Sequence, residues 1–188
     1  MESLKELYRM GKGPSSSHTM GPQKAAQIFA DHHPEAKAFK AILYGSLAAT
    51  GKGHMTDIAI TEVLEPIAPV TITWEPSVFL PFHPNGMRLL SYDADGKETD
   101  SWLVFSVGGG ALSEGGETRW LTDVKDVYKK NTLKEILTWC DNHGRSYWEY
   151  VDDCEESSIW DYLMEVWKAM QESVERGLDH EGALPGPL

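Results

Sequence analysis

Three short segments carry side chains suited to acid–base chemistry or to ligand binding. The first is a row of hydroxyl and imidazole groups near the N-terminus, Ser15, Ser16, Ser17, His18 and Thr19. A helix-prone run begins at Gln23, and the free N–H groups and the dipole at a helix start favour an anion. We therefore expect the row to hold a carboxylate or a phosphate.

The second segment, Thr50–Asp57, combines two glycines with four chemically different side chains. Gly51 and Gly53 allow the backbone to approach a ligand closely. The segment supplies a cation, a base, a hydroxyl and a carboxylate, on Lys52, His54, Thr56 and Asp57. It is not a phosphate-binding P-loop, because the Gly-x-x-x-x-Gly-Lys-Ser/Thr spacing is absent. Asp57 has an alternative role, as the cap of a helix predicted from Ile58.

The third segment, Pro81–Gly86, predicts a rigid turn that presents His83 and Asn85. Each segment taken alone also has a purely structural interpretation. The run Gly108-Gly109-Gly110 is typical of the end of a strand. His32 and His33 lie near a predicted helix end, where the dipole or solvent accounts for them better than a metal does.

The hydrophobic pattern predicts an α/β fold of the α+β type, with helices packed on a mainly antiparallel or mixed sheet. Strands are expected at residues 39–47, 70–74, 86–92 and 101–107, with a hairpin turn at 93–97. Helices are expected after possible capping boxes at Ser3 and Thr132, and over residues 23–31, 58–64 and 155–177. The three segments therefore lie beside the ends of predicted elements.

The long helix over residues 155–177 has an apolar face that includes Trp160 and Trp167, one heptad apart. Core packing is the simpler role for these two rings. The alternative is that they contact another domain.

Composition excludes several classes of function. The 188 residues carry a formal net charge of −12, which argues against nucleic-acid binding. No apolar run reaches membrane length and the N-terminus lacks a secretory core, so we expect a cytoplasmic protein. The two cysteines, Cys140 and Cys154, are too few to form a zinc or iron–sulfur ligand set alone, and we expect no disulfide between them. We therefore predict no metal ligands in this chain.

Taken together, the segments resemble the beta subunit, or N-terminal domain, of bacterial iron–sulfur-dependent L-serine dehydratases (L-serine ammonia-lyases). The matching pieces occur in the family's order, at residues 13–22, 51–57, 83–87 and 107–110. The resemblance extends from about Leu7 to the last residues. The first two pieces are long, so the resemblance is specific.

The resemblance implies conversion of L-serine to pyruvate and ammonia, without pyridoxal phosphate. It implies a [4Fe–4S] cluster that is bound by a partner alpha domain, not by this chain, and that acts as a Lewis acid on the serine hydroxyl. By the match, His54 is the base that takes the Cα proton. Substrate binding is expected from the first row of side chains and from Lys52, Thr56, Asp57, His83 and Asn85. The isolated chain is expected to be inactive.

The chain is also similar to the allosteric substrate-binding domain of some D-3-phosphoglycerate dehydrogenases. That similarity implies an alternative function, a non-catalytic allosteric module that binds an anion or serine. A third interpretation is a subunit that only docks.

The family resemblance also implies a domain arrangement. We expect a beta domain over residues 1–181, and a linker over residues 182–188 that leads toward an alpha domain not present in this chain. The alpha domain would belong to the same chain or to a separate subunit. Two-chain members often carry a further ligand-binding domain for which no room remains here, so we interpret the chain as half of a single-chain enzyme, in a homo-oligomer.

Overall fold

A five-stranded mixed sheet organises the part of the chain that contains the three predicted segments. The computed structural model describes residues 1–115, 119–121 and 126–183. The strands are β1 (Ala38–Tyr44), β2 (Val70–Glu75), β3 (Gly86–Tyr92), β4 (Glu98–Gly108) and β5 (Ala111–Ser113). Their order is β2-β1-β3-β4-β5, with β1 and β2 parallel and the other pairs antiparallel. The predicted α+β class with a mixed sheet is confirmed.

Seven α-helices and one π-helical turn are present in the described residues. The π-helical turn covers Ser16–Met20. The α-helices are α1 (Leu4–Leu7), α2 (Gly21–His32), α3 (Gly45–Thr50), α4 (Thr56–Leu64), α5 (Leu133–His143), α6 (Tyr147–Cys154) and α7 (Ile159–Leu178).

The chain divides into two compact units. The sheet unit contains the described residues from 11 to 121, and the helical unit contains residues 1–10 with residues 126–183. Notably, the sheet unit includes all three predicted segments. The predicted boundary at 181 stays a prediction, and residues 184–188 of the predicted linker lie outside the described residues.

The core of the sheet unit lies between the sheet and its helices. Alternate residues of β1 are buried, as period-two burial requires: Phe39, Ala41 and Leu43. They join buried side chains of α2, α3 and α4, among them Phe29, Leu47 and Ile60. This packing holds α3 and α4, which flank the second predicted segment, against the sheet.

The structure corrects two boundaries in this unit and adds a short strand. β1 ends at Tyr44, not at residue 47, because Gly45 takes a φ of +49° and α3 begins there. The row at Ser16–Met20 is a helical turn continuous with α2, not a loop. The triple glycine ends a strand, as expected, because β4 ends at Gly108, but β4 is not the last strand, since β5 follows at Ala111. The hairpin turn at 93–97 is confirmed, where the Asp93 carboxylate accepts from the Asp95 and Lys97 amides.

The helical unit is held partly by one carboxylate. Glu155 accepts from the Ser3 hydroxyl, the Leu4 amide and the Tyr128 hydroxyl, at 2.7, 2.8 and 2.7 Å. The capping box at Thr132 is confirmed. At Ser3 helix α1 forms without a capping box, because the Ser3 hydroxyl accepts a hydrogen bond from the Lys5 amide and not from the Glu6 amide.

Helix α7 confirms the long helix predicted near the C-terminus but not the packing of its whole apolar face. Ile159 and Val166 are buried. Trp160 and Trp167 are 39% and 53% exposed, so core packing describes them poorly within the described residues. Both cysteine thiols are free, and Cys140 is buried. None of the described helices has the length and the apolar composition needed to cross a membrane.

Candidate active site

Two buried threonines join the first predicted segment to the second. The Thr19 hydroxyl donates to the backbone carbonyl of His54 at 2.7 Å, and the Thr56 hydroxyl donates to the backbone carbonyl of His18 at 2.5 Å. Thr19 and Thr56 are 4% and 0% exposed. Each threonine therefore fixes the main chain beside the histidine of the other segment.

As a result, the two histidine rings lie side by side. The ring centroids of His18 and His54 are 4.8 Å apart, with an angle of 36° between the ring planes. Both rings are partly exposed, so a ligand can reach them from solvent. This pairing connects two motifs that are 36 positions apart in the sequence (54 − 18).

The hydrogen bond of His54 defines which of its nitrogens is basic. Nδ1 lies 2.9 Å from the carbonyl oxygen of Thr50, which can only accept a hydrogen bond. In the neutral ring the proton is therefore on Nδ1, and Nε2 carries the lone pair. A neutral imidazole that presents Nε2 is what a general base requires.

His18 has partners on both ring nitrogens. Nε2 lies 3.3 Å from the carbonyl oxygen of Ser46, and Nδ1 lies 3.0 Å from the hydroxyl oxygen of Ser17. Burial, and then the nearby charge of His54, lower the pKa of His18, while the Ser46 carbonyl acts in the opposite direction. His18 is therefore held neutral at neutral pH.

Most polar side chains of the first segment are engaged within it. The Ser15 hydroxyl accepts from the His18 amide at 3.1 Å, and the Ser15 amide donates to the Thr19 hydroxyl at 3.2 Å. Ser16 differs from its neighbours because its side chain is exposed and makes no hydrogen bond to another described residue. The structure thus separates Ser16 from the residues that shape the turn.

In the second segment the two glycines have different surroundings. A Cβ on Gly51 would lie 2.3 Å from the Leu47 carbonyl oxygen and 2.6 Å from the Trp74 ring. The nearest atom to a Cβ on Gly53 would be 3.5 Å away, an ordinary contact distance. Close packing on β2 therefore accounts for Gly51, and Gly53 leaves the exposed side of the segment open.

The two charged residues of the second segment lie at the surface. Lys52 is exposed, with its ammonium group 5.8 Å from the centre of the Trp74 ring. Asp57 lies in the first turn of α4, where its carboxylate accepts from the Ile58 amide at 3.0 Å. Asp57 is therefore not the helix cap that the alternative expects, because α4 begins at Thr56 and its N-cap residue is Met55, but a carboxylate in the first turn suits the helix dipole.

The third segment reaches the site through α3. The Pro84 carbonyl accepts from the Ser46 amide at 3.1 Å, and Nδ1 of His83 accepts from the Asn85 amide at 3.1 Å. Asn85 is buried, and its Nδ2 donates to the Ser106 carbonyl at 3.4 Å. The structure therefore brings His83 to the surface of a turn and places the Asn85 side chain beneath it.

Ser46 is the residue of the site that sequence reasoning missed. The nearly all-apolar run from residue 39 to 47 predicts a strand that includes Ser46, whereas the structure places Ser46 in α3. Gly45, which interrupts that run, is the sequence feature that indicates the end of the strand.

No three His, Cys, Asp or Glu side chains among the described residues are grouped so that they could hold a metal ion.

Comparison with known proteins gives consistent matches. The family model for the serine dehydratase beta chain matches residues 3–77, which include the first two segments. L-serine dehydratase of Streptomyces coelicolor is 32% identical over 235 residues, which cover 99% of this chain and 52% of that protein. L-serine dehydratase 1 of Escherichia coli is 31% identical over 100% of this chain and 52% of its own length.

A more distant relative, L-serine dehydratase of Helicobacter pylori, is 27% identical over 99% of this chain and 51% of its own length. The chain therefore spans about half the length of the curated relatives it matches.

Proposed function

Because the chain belongs to the serine dehydratase beta-chain family, we propose that it supplies part of the active site of an L-serine dehydratase. The complete enzyme would convert L-serine to pyruvate and ammonia. This chain would complete the active site at its interface with a catalytic alpha domain. The observation that carries the proposal is the contact of His54 Nδ1 with the Thr50 carbonyl, which leaves Nε2 of a partly exposed ring with the lone pair, in a segment that the family model covers.

In this proposal His54 is the general base. Elimination requires removal of the proton on Cα of serine, and a base with a pKa near neutrality suits that step. Nε2 of His54 takes the proton, and the ring then carries a positive charge. The Thr50 carbonyl, 2.9 Å from Nδ1, keeps its hydrogen bond and stabilises that charge.

The exposed polar groups around His54 are proposed to bind the remaining parts of serine. The Asp57 carboxylate suits the ammonium group, and Lys52 and the Ser16 hydroxyl suit the carboxylate. His83 forms a further wall, and the buried Asn85 side chain supports that wall from beneath. We propose that Ser15, Ser17, His18, Thr19 and Thr56 act by shaping the site, because their polar groups are bonded within it.

The resemblance implies a [4Fe–4S] cluster, which in the complete enzyme would act as a Lewis acid on the serine hydroxyl. The donors around His54 are imidazole, hydroxyl, ammonium and carboxylate groups, and the two thiols belong to the helical unit. This donor set suits substrate binding and proton transfer better than cluster ligation. We therefore propose that the partner alpha domain supplies every ligand of the cluster.

The partner and the cellular context belong to the same proposal. We propose that the alpha domain belongs to the same chain or to a separate subunit, that the complete enzyme is a homo-oligomer and that it is cytoplasmic. Residues 1–181 would form the beta domain, with residues 182–188 leading toward the alpha domain. Sedimentation of the complete enzyme and cell fractionation test these points.

The test is pyruvate formation from L-serine, measured anaerobically on the complete enzyme with its iron loaded. We expect His54→Ala to lower kcat by about two to four orders of magnitude, the usual contribution of a general base. His180→Ala, an exposed histidine of the helical unit, is the matched control and should retain the native rate.

Near-native turnover of His54→Ala would remove His54 from the mechanism. If the native, fully loaded enzyme forms no pyruvate but the chain binds serine or a phosphate, the alternative function, an allosteric binding module, replaces the proposal.

A further inference from the structure

Helix α3 contacts both imidazoles of the site through its backbone. The carbonyl of Ser46 is 3.3 Å from Nε2 of His18, and the carbonyl of Thr50 is 2.9 Å from Nδ1 of His54. The two carbonyls are four residues apart and belong to one helical turn. A carbonyl only accepts, so in both contacts the ring nitrogen carries the hydrogen.

The two contacts involve different nitrogens. We propose that α3 fixes opposite tautomers in the two rings: Nε2–H in His18 and Nδ1–H in His54. Nε2 of His54 is then the free proton acceptor, and Nδ1 of His18 accepts from the Ser17 hydroxyl at 3.0 Å. Ser46 and Thr50 are therefore positioning residues, which act through the histidines and not on the substrate.

The position of α3 is itself determined by the third segment. The Ser46 amide donates to the Pro84 carbonyl at 3.1 Å. Gly45 precedes it with a φ of +49°, and a Cβ on Gly45 would lie 2.7 Å from the same carbonyl oxygen. Only glycine fits this backbone conformation and this close approach without strain. Thus Pro84 locates Ser46, and Ser46 locates the ring of His18.

The close approach of the rings requires that at least one of them is neutral. With 4.8 Å between centroids, two protonated imidazoles would repel each other. His18 is partly buried and has a lowered pKa, so it stays neutral beside the base. Since Nδ1 of His18 accepts from Ser17 and Nε2 donates to Ser46, His18 has no lone pair left to compete with His54 for the substrate proton.

The role of α3 in catalysis rests on the proposed function, but the tautomers are measurable without any turnover. The experiment is nitrogen-15 NMR of the 188-residue chain with labelled histidine, at a pH where both rings are neutral. His18→Gln and His54→Gln assign the two sets of signals. We expect an Nδ1–H pattern for His54 and an Nε2–H pattern for His18. The same tautomer in both rings, or averaged signals, would overturn the proposal.

A second experiment perturbs α3 itself. In Gly45→Ala the new Cβ forces α3 away from Pro84, so we expect mixed tautomers in the chain. In the complete enzyme we expect kcat to fall about a hundredfold with a smaller change in KM, as for a catalytic group displaced by about 1 Å. The control is Gly177→Ala in α7, where a Cβ meets nothing within 4 Å. It should retain both the native tautomers and the native kcat.

The outcomes separate the two proposals. Native kcat in a folded Gly45→Ala variant would overturn the positioning role of α3. If Gly45→Ala does not fold, the NMR pattern of the native chain decides. If the native complete enzyme forms no pyruvate, the proposed function fails, but the tautomer measurement still tests the geometry of α3.

Discussion

The substitution Thr56→Val tests whether a motif residue acts on the substrate or on the fold. The Thr56 side chain is fully buried, and its hydroxyl donates to the backbone carbonyl of His18 at 2.5 Å. Valine has nearly the same shape but lacks the donor. The substitution therefore leaves the His18 carbonyl without this partner while it preserves the packing.

The expected cost follows from that one bond. An unsatisfied buried acceptor costs about 1–3 kcal/mol, and the isosteric methyl group recovers little of it. We expect Thr56→Val to lower the free energy of unfolding by about 2 kcal/mol. Thr19→Val should have a similar effect through the His54 carbonyl, which Thr19 contacts at 2.7 Å. Because the two bonds join the same pair of segments, the double variant should lose less than the sum of the single losses.

The assay is urea unfolding of the chain in the absence of serine, followed by circular dichroism. A matched control is Thr138→Val, an exposed threonine of α5 whose hydroxyl donates only to the preceding turn. It should change the free energy of unfolding by less than about 0.5 kcal/mol. A Thr56→Val chain as stable as the native chain would refute this reasoning and favour a role of Thr56 in substrate binding.

Two further predictions concern the stability of the sheet unit. Gly51→Ala should strongly lower the urea concentration at the unfolding midpoint, because its Cβ would lie 2.6 Å from the Trp74 ring. Gly53→Ala is the control and should leave the midpoint unchanged, because the nearest atom to its Cβ would be 3.5 Å away. Equal midpoints for the two variants would contradict the packing role of Gly51. Burial raises the pKa of Glu114, but hydrogen bonds from the Trp102 ring and three backbone amides outweigh it, so the pKa is lowered. The ionised Glu114 carboxylate therefore stabilises the fold above the ordinary pKa of 4.5, and this contribution to the free energy of unfolding is lost as the pH falls through the lower pKa of the folded state. Glu114→Gln should remove this part of the acid dependence of stability. If stability depends on pH in the same way in Glu114→Gln and in the native chain, the prediction is wrong.

The regular elements were predictable because their spacing is local information. The period-two pattern of β2, the hairpin turn signal between β3 and β4, and the apolar spacing of α7 are direct properties of the sequence. Helix α6 was missed although Ser146 and Glu149 form a capping box there. That signal was present in the sequence and is of the same kind as the one that correctly predicted α5.

The boundary between β1 and α3 was not predictable in the same way. Leu47 and Ala48 are buried in α3 just as Leu43 is buried in β1, so burial of the apolar residues continues across the boundary and Gly45 is the local signal of a break. The change is caused by a tertiary contact, the bond from the Ser46 amide to the Pro84 carbonyl. A sequence pattern cannot report a partner that lies 38 residues away (84 − 46).

The candidate site has the same division between local and tertiary information. Residue type made His54 a candidate and the family resemblance implied its role as the base, but its pairing with His18 depends on bonds from the Thr19 and Thr56 hydroxyls to the two backbone carbonyls. The motifs thus contain two kinds of residue that the sequence does not distinguish. Thr19 and Thr56 are buried and fix the backbone, whereas Lys52 and Ser16 are exposed. Substitution of the first kind should lower stability without serine present, and substitution of the second kind should lower turnover at unchanged stability.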